Sequence, residues 1–142
     1  MKFSDVEASS WPELQPYVDT CLLPVTGLSG DEQPWEATQA LEALRDALDC
    51  LEIPYKGRVL TYPAFHFVDG QAGEELLSRT CARLKQQFRH VVIVTAKTEA
   101  ALPLEKVEAD ALFVLTPEMI TNSKSDVRQS VSAKVQQLWS SR

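Results

Sequence analysis

Apolar residues follow two rhythms along this chain, and the rhythms alternate. Short continuous runs such as Cys21-Leu-Leu and Val91-Val-Ile-Val94 are separated by stretches in which an apolar residue returns every third or fourth position. The first rhythm predicts strands covered on both faces. The second predicts amphipathic helices. Leu41, Leu44, Leu48 and Leu51 form one such stripe, Leu77, Cys81, Leu84 and Phe88 a second, and Val127, Val131, Val135 and Leu138 a third.

Taken in order, residues 2–16 read as a lead-in with two capped turns, one around Ser4 and Glu7, the other at Ser10-Trp11-Pro12. Strand one is expected over Tyr17–Val25, with Asp19-Thr20 breaking its apolar character and Pro24 placed at its end because proline cannot donate to a ladder. A helix is expected from Pro34 to Leu51, then strand two over Gly57–Pro63 and an extended or bent segment through Val68. A turn at Asp69-Gly70 leads to a helix starting at Gly73, whose Glu74 and Glu75 suit its start and Lys85 and Arg89 its end. Strand three is expected at His90–Thr95, a connection at 96–108 and strand four at Ala109–Leu115. Thr116-Pro117 caps a single turn, and Ser125 is expected to cap the last helix. Alternating strands and helices predict an α/β fold. The expectation is a single-domain three-layer sandwich over residues 1–142, with a mostly parallel four-stranded sheet in the order 2-1-3-4 and helices on both faces.

Composition narrows the function more than it names one. Hydrophobic residues make up 44% of the 142 and charged residues 24%, so the chain can bury a core. No apolar run approaches the length of a membrane span, and the polar, acidic start does not read as a secretory signal. The expected location is cytoplasmic, with no membrane insertion. The net charge of −6 and the lack of a basic stripe argue against nucleic acid. Residues 1–56 carry 11 acids and 3 bases, whereas residues 57–142 carry 9 and 11. That asymmetry is either a solvated helix face or an acidic docking surface. Cys21, Cys50 and Cys81 show no CxxC spacing and read as reduced thiols in packing roles.

In a parallel sheet, ligands gather beyond the carboxyl ends of the strands. The candidate ligand-binding residues are therefore Thr26, Ser29, Asp31 and Glu32 after strand one, His66 after strand two and Lys97 after strand three. Thr26-Gly-Leu-Ser-Gly30 superficially suits an anion, but it matches neither dinucleotide nor P-loop motifs. Asp31 and Glu32 place negative charge there, which favours a cation or an amine over a phosphate. His66 could act as acid, base or ligand, or simply bond the backbone. His90 falls at the other end of the sheet, so two histidines cannot share a zinc site, and no metal or cofactor is expected. Thr26, Ser29 and Lys97 could join His66 as a nucleophile-and-base set, yet no GxSxG element supports this, and the balance leans away from an enzyme.

At Tyr17-Val-Asp-Thr-Cys-Leu-Leu-Pro24, Pro34-Trp-Glu-Ala-Thr38 and Lys56-Gly-Arg-Val-Leu-Thr-Tyr-Pro-Ala-Phe-His66 the chain resembles the YpiF family, small proteins of unknown function from Bacillus-like Firmicutes. The resemblance implies a bacterial cytosolic protein, carries no activity over, and points to a partner in respiratory-complex assembly. A fainter likeness is to creatininase-type amidohydrolases, whose corresponding loop carries metal ligands. Here Pro24–Pro34 contains no histidine, which argues against their metal chemistry. The leading expectation is a non-enzymatic module with an unknown protein partner, contacted through the acidic first long helix or the aromatic Tyr62–Phe67 segment. A homodimer stays open. The alternative is a small-molecule or cation binder, or an enzyme, using the loops after strands one and two.

Overall fold

The computed structural model describes residues 1–66, 70–98 and 107–140. Four strands, β1 (Thr20–Val25), β2 (Val59–Thr61), β3 (His90–Thr95) and β4 (Ala111–Val114), form one parallel sheet in the order β2-β1-β3-β4. The helices are α1 (Trp11–Leu14), α2 (Pro34–Glu52), α3 (Gly70–Leu84), α4 (Pro117–Asn122) and α5 (Lys124–Ser140). Strand order and α/β class agree with the sequence reading.

The strand pleat sorts the apolar runs into two cores. Cys21, Leu23, Val25, Leu60, Val91 and Ile93 meet Leu77, Cys81 and Leu84 of α3 on one face. Leu22, Val59, Val92, Val94 and Phe113 meet α2 and α5 on the other. These are three layers, and the runs are continuous because both faces of the central strands are covered. Burial pushes the Cys21 thiol up to about 12 and the Cys81 thiol to about 11, so both are packing groups rather than nucleophiles.

Pro24 lies inside the central strand, one place before its end. Its carbonyl accepts from Phe65 N–H at 2.7 Å, on the β2 side. A strand residue's N–H and C=O point the same way, so the missing donor also faces that side. There β2 has already ended at Thr61, and the chain follows β1 only loosely, through Tyr62 N–H to Leu22 O at 2.8 Å and a single bridge between Val25 and Phe65. The proline sits where a donor is not required.

Several boundaries differ from expectation. β1 starts at Thr20, because a turn holds Tyr17, its N–H bonded to Leu14 O at 2.9 Å, and leaves it 73% exposed. Leu41 is 47% exposed, and the buried stripe of α2 is Leu44, Ala47, Leu48 and Leu51. A 19-residue helix spans about 28 Å, more than a six-residue strand covers, so its first turns have no sheet to rest on. α3 begins at Gly70, three residues early, which moves Glu74 and Glu75 out of the first turn. Around the first lead-in turn the Lys2 N–H donates to Asp5 Oδ2 at 2.9 Å, replacing the expected Ser4–Glu7 cap. Ser10 caps nothing; its hydroxyl is exchanged with the Glu7 backbone. Thr116 does cap α4, accepting from Met119 N–H at 3.3 Å. Ser125 lies within α5 and is not its cap, since Val127 N–H already bonds Ser123 O. β4 is shorter at both ends than expected. Asp69 of the expected Asp69-Gly70 turn and residues 99–106 of the 96–108 connection lie outside the described residues, and Gly70 is the first residue of α3.

The exposed edge of β2 is covered by the start of the chain: Thr61 N–H donates to Met1 O at 2.9 Å, and Lys2 Nζ reaches Glu52 at 2.8 Å. An unpaired edge is a template for aggregation, and this contact shortens it.

Candidate functional site

Connections leave β1 and β3 in opposite directions, toward β2 and β4, which makes the gap beyond their carboxyl ends the switch point of the sheet. Two side-chain links cross the loops there. Thr26, buried at the end of β1, places Oγ1 2.9 Å from His66 Nδ1, joining the loops after β1 and β2. Leu28 N–H approaches the same oxygen at 3.5 Å. Lys97 Nζ donates to Gly27 O at 2.9 Å, joining the loops after β3 and β1, while its N–H bonds Thr95 Oγ1 at 3.2 Å. Gly27 has a φ of 73°, a conformation glycine adopts without a Cβ penalty, and this turn aims its carbonyl at the lysine.

Ser29, Asp31 and Glu32 form a separate, self-contained turn. Glu32 Oε2 accepts from Ser29 N–H at 2.9 Å and from Ser29 Oγ at 3.1 Å, and Oε1 accepts from Gly30 N–H at 2.9 Å. Asp31 is exposed, its N–H donating to Ser29 Oγ at 3.3 Å. The Ser29 amide first, then the Glu32 and Gly30 amides and the Ser29 hydroxyl, hold the Glu32 carboxyl down at about 2. Its ionised form is already bonded inside the loop, and an incoming cation would compete with those amides. A depressed carboxyl adds stability above its usual 4.5 and loses that contribution as pH falls through about 2. Carboxyl NMR should therefore place the Glu32 midpoint at about 2, and Ser29→Ala should raise it. A wild-type midpoint near 4.5 would contradict the bonded loop.

At the opposite, amino-terminal end of the strands lies a cluster whose members the sequence reading did not join. Arg58 Nε and Nη2 donate to Asp19 Oδ1 and Oδ2 at 3.0 and 3.1 Å. The guanidinium carbon stands 3.7 Å from the centre of the Trp139 ring. Trp139 Nε1 donates to Thr20 Oγ1 at 2.9 Å, and that hydroxyl donates to Asp19 Oδ1 at 3.0 Å. Burial works to raise the Asp19 carboxyl, but the Arg58 and Thr20 hydrogen bonds and the Arg58 and His90 charges together keep it below its ordinary range. His90 begins β3 beside Thr20, and its Nε2 is buried with no hydrogen-bond partner among the described residues. Burial pushes this imidazole down, with Arg89 and Arg58 acting the same way against Asp19 and Asp110. The visible hint was Asp19-Thr20, a polar pair at the mouth of a buried strand. Its remote partners, Arg58 and Trp139, carry no spacing signal.

Among the described residues no group of three or more histidines, cysteines or acids could hold a metal ion. No described helix is long and apolar enough to cross a membrane.

The sheet, its order and its bridged switch point define an all-parallel α/β domain in three layers. The chain belongs to the DUF2487 family of proteins of unknown function, whose model matches residues 9–140. Neither the curated proteins nor the solved structures supply a match.

Proposed function

We propose that this protein is a cytoplasmic, non-enzymatic module that docks a basic segment of a partner protein on the outer face of α2. The observation that carries this reading is the pair Trp35 and Ile53, 63% and 72% exposed at the two ends of that helix. At 3.6 residues per turn, Trp35, Glu42, Asp46, Asp49 and Ile53 fall within about 40° of one direction, opposite Leu44 and Leu51. The face therefore presents an apolar residue at each end, about 27 Å apart, with three exposed acids between. Among the described residues the one ion pair on this face is Asp46 with Arg45 at 3.5 Å, an exposed pair worth little. An exposed tryptophan is the residue type that most often anchors an interface, and a row of like charge steers an opposite one. The other contact considered, Tyr62–Phe67, has less to offer. Tyr62 and Phe65 pack on the core, Tyr62 edge-on to Phe3 at 4.9 Å, and Phe67 lies outside the described residues.

The double variant Glu42→Lys/Asp46→Lys and the single variant Trp35→Ala test it. A partner recovered by the wild-type protein from its host should bear a basic segment, and its affinity should fall at least about ten-fold in each variant and weaken with added salt. Equal affinity of correctly folded variants would sink the reading.

A second reading rests on the Thr26–His66 and Lys97–Gly27 links. Thr26, His66 and Lys97 would face a small ligand above the switch point, and Ser29, Asp31 and Glu32 would join them on opening of their own turn. A ligand that raises the melting temperature of the wild type but not of His66→Ala would favour it.

A further inference from the structure

α3 carries an exposed face whose charge is opposite to that of the α2 face. At 3.6 residues per turn Ala72, Leu76, Arg79 and Arg83 fall within about 60° of one direction, opposite the buried Leu77 and Cys81. All four are exposed, Leu76 by 50%. Among the described residues neither arginine makes an ion pair. Glu75, the one acid of α3 beside the row, accepts from Gln71 Nε2 at 3.1 Å. α3 packs on the face of the sheet away from α2, so the acidic row and the basic row lie on opposite sides of one molecule and cannot meet within it.

Spacing along the two helices decides whether the rows fit. From Leu76, Arg79 lies about 4.5 Å and Arg83 about 10.5 Å along the α3 axis. From Ile53, running back along α2, Asp49 lies about 6 Å and Asp46 about 10.5 Å away. An antiparallel pairing that seats Leu76 on Ile53 therefore sets Arg79 over Asp49 and Arg83 over Asp46 in one register. A parallel pairing that seats Leu76 on Trp35 brings Arg83 onto Glu42 but leaves Arg79 opposite Thr38. We propose that the basic segment received by α2 is the outer face of α3 from a second copy of this chain, packed antiparallel with Leu76 on Ile53. The inference rests on the docking reading of α2 and names the segment. The contact is head-to-tail. Each copy offers α2 to one neighbour and α3 to the next, so copies add in a row instead of closing as a two-fold pair. The net charge of −6 repels copies at long range, but at about 0.15 M salt that repulsion is screened beyond about 8 Å and the local match acts alone.

The test is sedimentation equilibrium of the full chain at about 0.15 M salt and up to about 1 mM protein, because two helix faces make a small and weak interface. The average mass of the wild type should rise with concentration. Asp46→Lys/Asp49→Lys and Arg79→Glu/Arg83→Glu, all at exposed positions, should each associate at least about ten-fold more weakly. Mixed in equal amounts, the two variants should associate again. The intact α3 of the first then meets the intact α2 of the second, and the two reversed faces match as well. The proposal is overturned if the wild type stays monomeric, if either variant associates as the wild type does, or if the mixture stays monomeric. A monomeric wild type whose host partner is still lost in Glu42→Lys/Asp46→Lys overturns this inference and leaves the docking reading standing. Self-association that follows the expected pattern, while a host partner binds wild type and variant alike, does the reverse.

Discussion

Trp139→Ala should lower the unfolding free energy by about 3 kcal/mol, near the low end for tryptophan truncation because the ring is only half-buried. One side chain here serves three neighbours. It lies under the Arg58 guanidinium at 3.7 Å, meets Tyr55 edge-on at 5.1 Å and donates to Thr20 at 2.9 Å. Removing it takes the cation–π contact from Arg58, leaves Thr20 without its donor and frees the last turn of α5 from the sheet. Trp139→Phe should restore the ring contacts and cost only about 1 kcal/mol for the lost hydrogen bond. Urea unfolding followed by far-UV circular dichroism checks both. Equal losses for the two variants would show that the indole N–H, rather than the ring, holds the helix end.

Leu22→Ala should cost more, about 4 kcal/mol, and Leu41→Ala less than about 0.5 kcal/mol, although both leucines stand in apolar patterns of the sequence. Leu22 is fully buried in β1, between β2 and β3, facing α2 and α5. Its truncation leaves a cavity in a layer that cannot collapse without moving two helices. Leu41 keeps 47% of its surface in solvent and loses little contact when shortened. The same unfolding experiment separates them. A cost above about 2 kcal/mol at Leu41 would mean that its exposed face is covered by something else, a second copy or a partner.

What could be read from the sequence depended on how local the cause was. The limits of β3 were legible because five consecutive buried residues are β-branched or threonine and nothing competes with that signal. Handed crossovers pointed to a three-layer sandwich, while the order 2-1-3-4 was one choice among several they allow, and it is the order observed. The start of β1 was not legible, since Tyr17 suits a strand by propensity and is taken out of it by a turn contact with Leu14. Leu41 kept the helical period, yet period says nothing about where the sheet beneath the helix ends. For the candidate site, position beyond the strand ends could be inferred, and Thr26, His66 and Lys97 do make contacts across those loops. The inward turn of Glu32 onto Ser29 and Gly30 could not, because it depends on the loop's own conformation. The Asp19–Arg58–Trp139 cluster gathers residues from three distant parts of the chain, and no single-sequence pattern joins them.

The pairing of Thr20 with His90 has a consequence for the protein's birth. Seventy positions along the chain separate these two paired residues. At a synthesis rate of about 5–20 residues per second, β1 waits roughly 4–14 s on the ribosome before the strand that completes its second edge exists. During that interval β1, α2 and β2 can assemble only half a sheet. The edge they leave open consists of six residues that are all buried in the finished fold. The nascent chain is therefore at its stickiest between the making of β1 and the making of β3, and that is when a chaperone would find most to hold.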